Sequence, residues 1–239
     1  MKLAFWKKQE LDVYSEVERM FAGIYAYDNL KDVMYGIATS PKINAMLLAG
    51  DPGTGKSQIA DCIRDYFGDK AYKCLGNSTK KAGIYDYLFL HGKELKVVII
   101  DELDKMSLED QGSFLGLMQT GEFSETKYGK TRSIKLNVVV IATANNTKKI
   151  LEPLMTRFKP NVFHLKAYNA DEYVYIGTRI LTEEEGAHED VAEIIARRMW
   201  DMNTKKRENI RSVVKVFRYT GNDITKLDPY LNVIKEYSE

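Results

Sequence analysis

Short continuous apolar runs mark the first two-thirds of the chain, and apolar residues at helical spacing mark the last third. Ala45-Met46-Leu47-Leu48-Ala49, Val97-Val98-Ile99-Ile100 and Val138-Val139-Val140-Ile141 are unbroken runs, the pattern of strands buried on both faces. With two weaker segments, the predicted strands are 45–49, 71–75, 97–101, 138–143 and 161–165. Helical patterns separate the first four, as in Ile59, Ala60, Ile63 and Phe67. That alternation predicts a parallel sheet covered by helices on both faces. Residues 9–39 read as helix in two pieces, broken near Gly23 and Asp28. Ser107, with Asp110 at the capping-box position, opens a helix carrying Leu108, Gln111, Leu115 and Met118 on one face. From Tyr168 the strand signal stops. Val191, Ile194, Ile195 and Met199 form one helical stripe, and Ile210, Val213, Val214 and Phe217 another. Asp228-Pro229 reads as cap and first turn of a last short helix. The predicted fold class is α/β over residues 1–167, with a small all-α domain over 168–239.

The first turn of that pattern carries chemistry. Gly50-Asp51-Pro52-Gly53-Thr54-Gly55-Lys56-Ser57-Gln58 fits G-x-x-x-x-G-K-[ST], between an apolar strand and a helix. Strand, Gly-rich turn, helix is the setting in which backbone N–H groups and a helix N-terminus can close around a phosphate. Lys56 is placed to reach the outer phosphates, and the Ser57 hydroxyl to ligate magnesium. A second apolar strand ends in Asp101-Glu102, at the carboxyl edge where open α/β sheets bind ligands. Asp101 is suited to hold magnesium, directly or through water, and Glu102 to orient and deprotonate an attacking water. Such an acidic pair can instead cap the following helix, but Ser107 fills that role better. The reading is a nucleoside triphosphatase of the phosphate-loop fold.

Composition narrows the setting more than the substrate. Of 239 residues 44% are hydrophobic, enough for a packed core. The formal net charge is only +1, so contact with DNA would need a local basic patch. Cys62 and Cys74 form neither a disulfide framework nor a zinc spacing, and His91, His164 and His188 are scattered. The first residues lack the apolar core and cleavage site of a signal peptide, and no apolar run reaches membrane length. These features predict a cytoplasmic protein that does not engage a membrane.

A third apolar strand ends in Thr143-Ala144-Asn145-Asn146, followed by Lys149-Ile150-Leu151-Glu152-Pro153-Leu154 and Thr156-Arg157-Phe158. With the two motifs above, the chain over residues 20–220 resembles an AAA+ ATPase. It is most similar to the group of clamp loaders, branch-migration motors and minichromosome-maintenance helicases, including archaeal relatives. The resemblance implies a parallel AAA+ core with a helical lid, ATP as substrate, Mg2+ as cofactor, and a homo-oligomeric ring, expected to be a hexamer. It implies that Asn145, with Asn146 as the alternative, is the sensor-1 amide. Arg157 matches the arginine finger offered to a neighbouring subunit, with Thr156 where many clamp loaders have Ser. Arg211 matches the sensor-2 arginine of the lid. Asn77 is a candidate for coupling substrate to Glu102, and Ile24-Tyr25 lie where adenine contacts are expected.

The segment from Glu122 to Leu136 resembles the pre-sensor-1 hairpin of the minichromosome-maintenance helicases. Lys127, Tyr128, Lys130, Arg132 and Lys135 would offer positive charge to phosphates and an aromatic ring to a base. The same hairpin can be a solvated edge, or can dock a protein. Two functions are therefore expected from this pattern. The first is an ATPase that remodels or translocates DNA in replication, recombination or repair. The alternative is a MoxR-like or chaperone ATPase acting on a protein client. No winged-helix reader follows the expected lid in these 239 residues, which weakens the branch-migration analogy.

Overall fold

The computed structural model describes residues 13–78, 81–127, 130–202 and 209–237. Tyr128 and the basic run Lys205-Lys206-Arg207 lie outside these residues. Through Leu165 the described chain forms one compact unit, and Lys166 onward forms a second, with which Pro52–Thr54 cluster.

In chain order the strands are β1 (Asn44–Gly50), β2 (Ala71–Leu75), β3 (Val97–Asp101), β4 (Glu122–Lys127), β5 (Lys130–Lys135), β6 (Val139–Ala144) and β7 (Val162–Leu165). Five of them make one sheet in the order β2-β3-β6-β1-β7, every pair parallel. All five lie within one residue of the spans expected from the apolar runs. The reason is burial: β3 and β6 are buried at every position. Successive residues alternate between two cores. Val98, Ile100, Val140 and Ala142 face a cluster with Leu88, Phe114, Phe123, Leu154 and Phe158. Val97, Ile99, Val139 and Ile141 face the other, with Met20, Met34, Ile59 and Ile63.

The helices of this unit are α1 (13–20), α2 (Asp28–Ala38), α3 (Lys56–Phe67), α4 (Lys81–His91), α5 (Leu108–Gly112), α6 (Phe114–Thr120) and α7 (Glu152–Phe158). α1, α2 and α3 cover the second core; α4, α6 and α7 cover the first. Ser107 does cap its helix, accepting from Asp110 N at 3.1 Å. The single amphipathic helix expected after it is instead two, broken at Ser113. Leu108 is therefore exposed, while Gln111 is fully buried. β4 and β5 pair antiparallel from Glu122↔Lys135 to Lys127↔Lys130, forming the expected hairpin.

The second unit is helical: α8 (Ala170–Glu183), α9 (Glu189–Met202), α10 (Ser212–Thr220) and α11 (Leu227–Tyr237). A reciprocal capping box starts α8, where Asn169 and Glu172 exchange side-chain and backbone bonds of 2.9 Å. Gly177 lets α8 approach α9, since a Cβ there would sit 3.0 Å from the Ala196 Cβ. The expected stripes are corrected in detail. Ile194 is exposed, and Ala192 and Ala196 complete the buried face of α9. On α10 the buried face is Val213, Val216, Phe217 and Thr220, with Val214 at its margin. The last helix begins at Leu227, so Asp228 lies inside its first turn and does not cap it.

Phe123 anchors the base of the hairpin, fully buried with its ring centroid 4.3 Å from that of Tyr85 and 6.2 Å from that of Phe114. Phe123→Ala is expected to cost about 3–5 kcal/mol in urea unfolding. A cost below about 1 kcal/mol, the scale of a surface substitution, would remove the hairpin base from the core.

Candidate nucleotide site

The parallel register brings the carboxyl ends of all five strands to one edge of the sheet. Ala49 is level with Ala144, and Leu75 with Asp101. β1 ends at Gly50 and α3 begins at Lys56, so the Gly-rich motif is the turn between them. Gly53 and Gly55 have φ of 85° and 82°, values that residues with a Cβ adopt only with strain. The first turn of α3 leaves backbone N–H groups without helical partners, a favourable setting for an anion. Thr54 and Lys56 are buried, Asp51 and Pro52 exposed, and Gly53, Ser57 and Gln58 half-buried. Lys56 Nζ donates to Gly50 O at 2.8 Å and Asp51 O at 2.6 Å. Burial pulls its ammonium below the usual lysine range, against the opposing pull of Asp51, Asp104, Asp101 and Glu102.

Asp101 ends β3 almost completely buried and is held by three side chains. Its Oδ1 accepts from Thr143 Oγ1 at 2.5 Å and from Ser57 Oγ at 2.9 Å. Its Oδ2 lies 2.9 Å from Lys73 Nζ. Burial pushes the carboxyl up, but the hydrogen bonds from Thr143 and Lys73, the charge of Lys73 and the bond from Ser57 together hold it below its ordinary value. Glu102 follows with φ 59°, a left-handed conformation uncommon for a residue with a side chain. Its N–H donates to Thr143 Oγ1 at 2.9 Å, and its Oε1 lies 2.6 Å from Lys105 Nζ. Gly76 permits this turn: a Cβ there would meet Glu102 O at 2.2 Å.

The sensor candidates stand across from that turn. Asn145 N and Asn146 N donate to the two carboxylate oxygens of Asp104 at 3.2 and 3.0 Å. Asn146 Oδ1 accepts from Lys148 N at 3.0 Å, capping a short helical turn. Gln111 closes the other side. Its Nε2 approaches Leu103 O at 3.3 Å, Met106 O at 3.1 Å and Lys149 O at 3.1 Å, while its Oε1 accepts from Leu151 N at 2.9 Å. Gln58 Nε2 reaches Gly23 O at 3.3 Å, tying the first turn of α3 to the segment holding Ile24 and Tyr25.

The structure thus gathers Lys56, Ser57, Asp101, Glu102 and Asn145 at one edge. Asn77 lies on the exposed turn after β2. Arg157 sits on α7, half-buried, donating to Pro153 O at 2.8 Å and Gln119 Oε1 at 2.5 Å. Arg211 is exposed, immediately before α10 in the helical unit. Of the hairpin residues, Lys127 and Lys130 form its last backbone pair and Tyr128 lies outside the described residues. Arg132 is not simply solvated: it lies 2.8 Å from Asp86 Oδ1 and 4.3 Å over the Phe89 ring. Sequence reasoning gave no role in the site to Lys73, Asp104, Gln111 or Thr143. Of these, Thr143 and Asp104 each lie within two residues of a residue it did single out.

The donors present suit magnesium. Ser57 and Asp101 supply hard oxygens, and Asp101 is held below its ordinary carboxylate range. Among the described residues no group of three or more Asp, Glu, His or Cys could cage a metal. Two oxygen ligands of this kind, Ser57 and Asp101, suit an ion that keeps its waters and shares one or two protein ligands with substrate phosphates. No described helix is long and apolar enough to cross a membrane.

Residues 46–164 match the family described as "ATPase family associated with various cellular activities (AAA)". The chain is 25% identical over 201 residues to the Lon protease of Mycoplasma mobile, covering 74% of this chain and 24% of that protein. It is 28% identical over 175 residues to the DNA replication licensing factor mcm2 of Xenopus laevis, covering 61% and 20%. It is 33% identical over 114 residues to the probable DNA helicase MCM8 of Arabidopsis thaliana, covering 42% and 14%. The chain thus spans no more than a quarter of these curated relatives. Among solved structures it resembles a mutant form of RuvB from Thermotoga maritima, with a TM-score of 0.58 at 18% identity over 86% of this chain and 74% of that one; this likeness supports the fold alone. The chain carries an AAA ATPase domain across residues 46–164.

Proposed function

We propose that this protein hydrolyses Mg-ATP at the interfaces of a homo-oligomeric ring and uses the energy to remodel or translocate DNA. The observation that carries the ATPase reading is the meeting of the Gly-rich turn, the Asp101-Glu102 pair and Asn145 at one sheet edge. Lys56 exchanges the carbonyls of Gly50 and Asp51 for phosphate oxygens. The backbone N–H groups of the turn and of α3 hold the remaining phosphate charge. Ser57 and Asp101 hold magnesium, which neutralises charge on the phosphates when bound. Glu102 exchanges Lys105 for the attacking water and accepts its proton. Asn145 orients that water; Asn146 has its side-chain oxygen engaged in a local cap, which favours Asn145 for the role. Phosphoryl transfer needs stabilisation of charge spread over the transferred group, and an arginine from a neighbour can contribute on the order of 10³–10⁵ in rate. Arg157 is assigned that role toward the adjacent subunit, and Arg211 the lid contact to nucleotide.

DNA is favoured as substrate by the resemblance to proteins named as a replication licensing factor and a DNA helicase, and by the basic hairpin. Lys127, Lys130 and Tyr128 are the assigned contacts, Tyr128 lying outside the described residues. Arg132 braces the hairpin against Asp86 and Phe89 and contributes charge from its flank. The second reading, a protein client, rests on the resemblance to Lon protease.

Lys56→Ala is expected to abolish ATP binding in a fluorescent-nucleotide titration, and retained affinity would refute the loop assignment. Glu102→Gln is expected to keep ATP affinity within about threefold while lowering turnover by about 10²–10⁴, the usual contribution of a positioned base; wild-type turnover would mean that another group takes the proton. ATPase rate against protein concentration, with and without DNA, tests the assembly and its substrate. For a DNA motor the rate per subunit climbs with concentration, rises with DNA and collapses in Arg157→Ala. Dependence on concentration and Arg157 with indifference to DNA would move the assignment to a protein client.

A further inference from the structure

Lys73 has no part in the mechanism above, yet it is built into the metal end of the site through Asp101. It stands in the middle of β2, its side chain only 14% exposed. Its Nζ lies 2.9 Å from Asp101 Oδ2 and 2.9 Å from Asp61 Oδ1. Asp61 is on α3 four residues after Ser57, so both project from one face of the helix. Asp61 is also held by Arg64 at 2.8 Å. Ser57, Asp101, Lys73 and Asp61 therefore run in series from α3 through β3 and β2 back to α3.

A half-buried lysine between two acids is often only a structural ion pair. Here its position does something more specific. By taking Oδ2 it fixes the plane of the Asp101 carboxylate and directs Oδ1 at the Ser57 hydroxyl. Its charge also stands close to where Ser57 and Asp101 Oδ1 converge, so it opposes a divalent cation there by Coulomb's law. Asp61 offsets that charge from the far side. We infer that Lys73 sets how tightly the divalent cation is held, its charge opposing the metal at Asp101 and Asp61 offsetting that charge from the other side. The inference rests on the reading that Ser57 and Asp101 hold the cation of a bound nucleotide.

Opposite charge changes at the two residues test it. Mn2+ binding to the full chain with ADP is followed by electron paramagnetic resonance, and ADP affinity without metal is measured separately. Lys73→Met is expected to tighten Mn2+ binding by about fivefold, and Asp61→Asn to weaken it by a similar factor. Lys73→Arg, which keeps the charge, is expected to stay within about twofold of wild type. A merely structural pair would shift Lys73→Met and Asp61→Asn in the same direction, because both would loosen α3 against the sheet. That result, or unchanged Mn2+ affinity in both, overturns the inference and leaves the ATPase reading standing. If Lys73→Met does not fold, Asp61→Asn and Lys73→Arg still decide it: a weakened Asp61→Asn beside a wild-type-like Lys73→Arg supports the inference, and any other pair of results overturns it. Failure of wild-type protein to bind Mn2+ with ADP overturns the metal assignment beneath it.

Discussion

A carboxylate at the end of a fully buried strand has to be neutralised where it stands. Asp101 is that group, and leaving such a charge without partners would be strongly destabilising. Its three donors come from three different elements: Ser57 from α3, Thr143 from β6 and Lys73 from β2. Satisfying one charge thus pins the phosphate-loop helix and both neighbouring strands to the end of β3. The same Thr143 hydroxyl accepts from Glu102 N, so the Glu102 backbone is fixed by the bond network that neutralises its neighbour.

The second layer of order is the stitching between residues 102–106 and 145–151. Asp104 receives the N–H groups of Asn145 and Asn146, and Gln111 gathers backbone groups from both segments. This over-determined setting is what sustains a left-handed Glu102, a conformation that costs on the order of 1–3 kcal/mol and survives only where surroundings hold it. The lack of a Cβ at Gly76 is part of the same requirement, because Glu102 O occupies the space.

What the sequence made legible follows from this arrangement. Strands buried on both faces leave unbroken apolar runs, and the glycine-rich turn has few alternatives, so sheet and loop were readable. Thr143, Lys73 and Asp104 were not, because their importance comes from which strands are neighbours in space, and the order β2-β3-β6-β1 differs from chain order. The role of Gln111 was hidden for a different reason. Its spacing places it on the inward face of the helix, but does not reveal the backbone groups of Leu103, Met106, Lys149 and Leu151 that its amide meets there. Ile194 and Val214 show the limit of periodicity: both sit at the margin of an apolar stripe, and the small residues Ala192 and Ala196 pack where helices come closest.

A division of labour runs through the site. The groups that fix the backbone, Asp101, Thr143 and Gln111, are buried and bonded at nearly every polar atom. Those assigned to change partners during turnover differ in how firmly they are held. Glu102 meets Lys105 in an ion pair 29% and 47% exposed, of a kind that contributes about 0–1 kcal/mol. Lys56 rests on two carbonyls of its own loop. Arg157 donates to Pro153 O and Gln119, while its buried Nε has no partner among the described residues. Glu102 can exchange its Lys105 contact for water at small cost, because the buried network around it keeps the backbone in place when the side chain lets go.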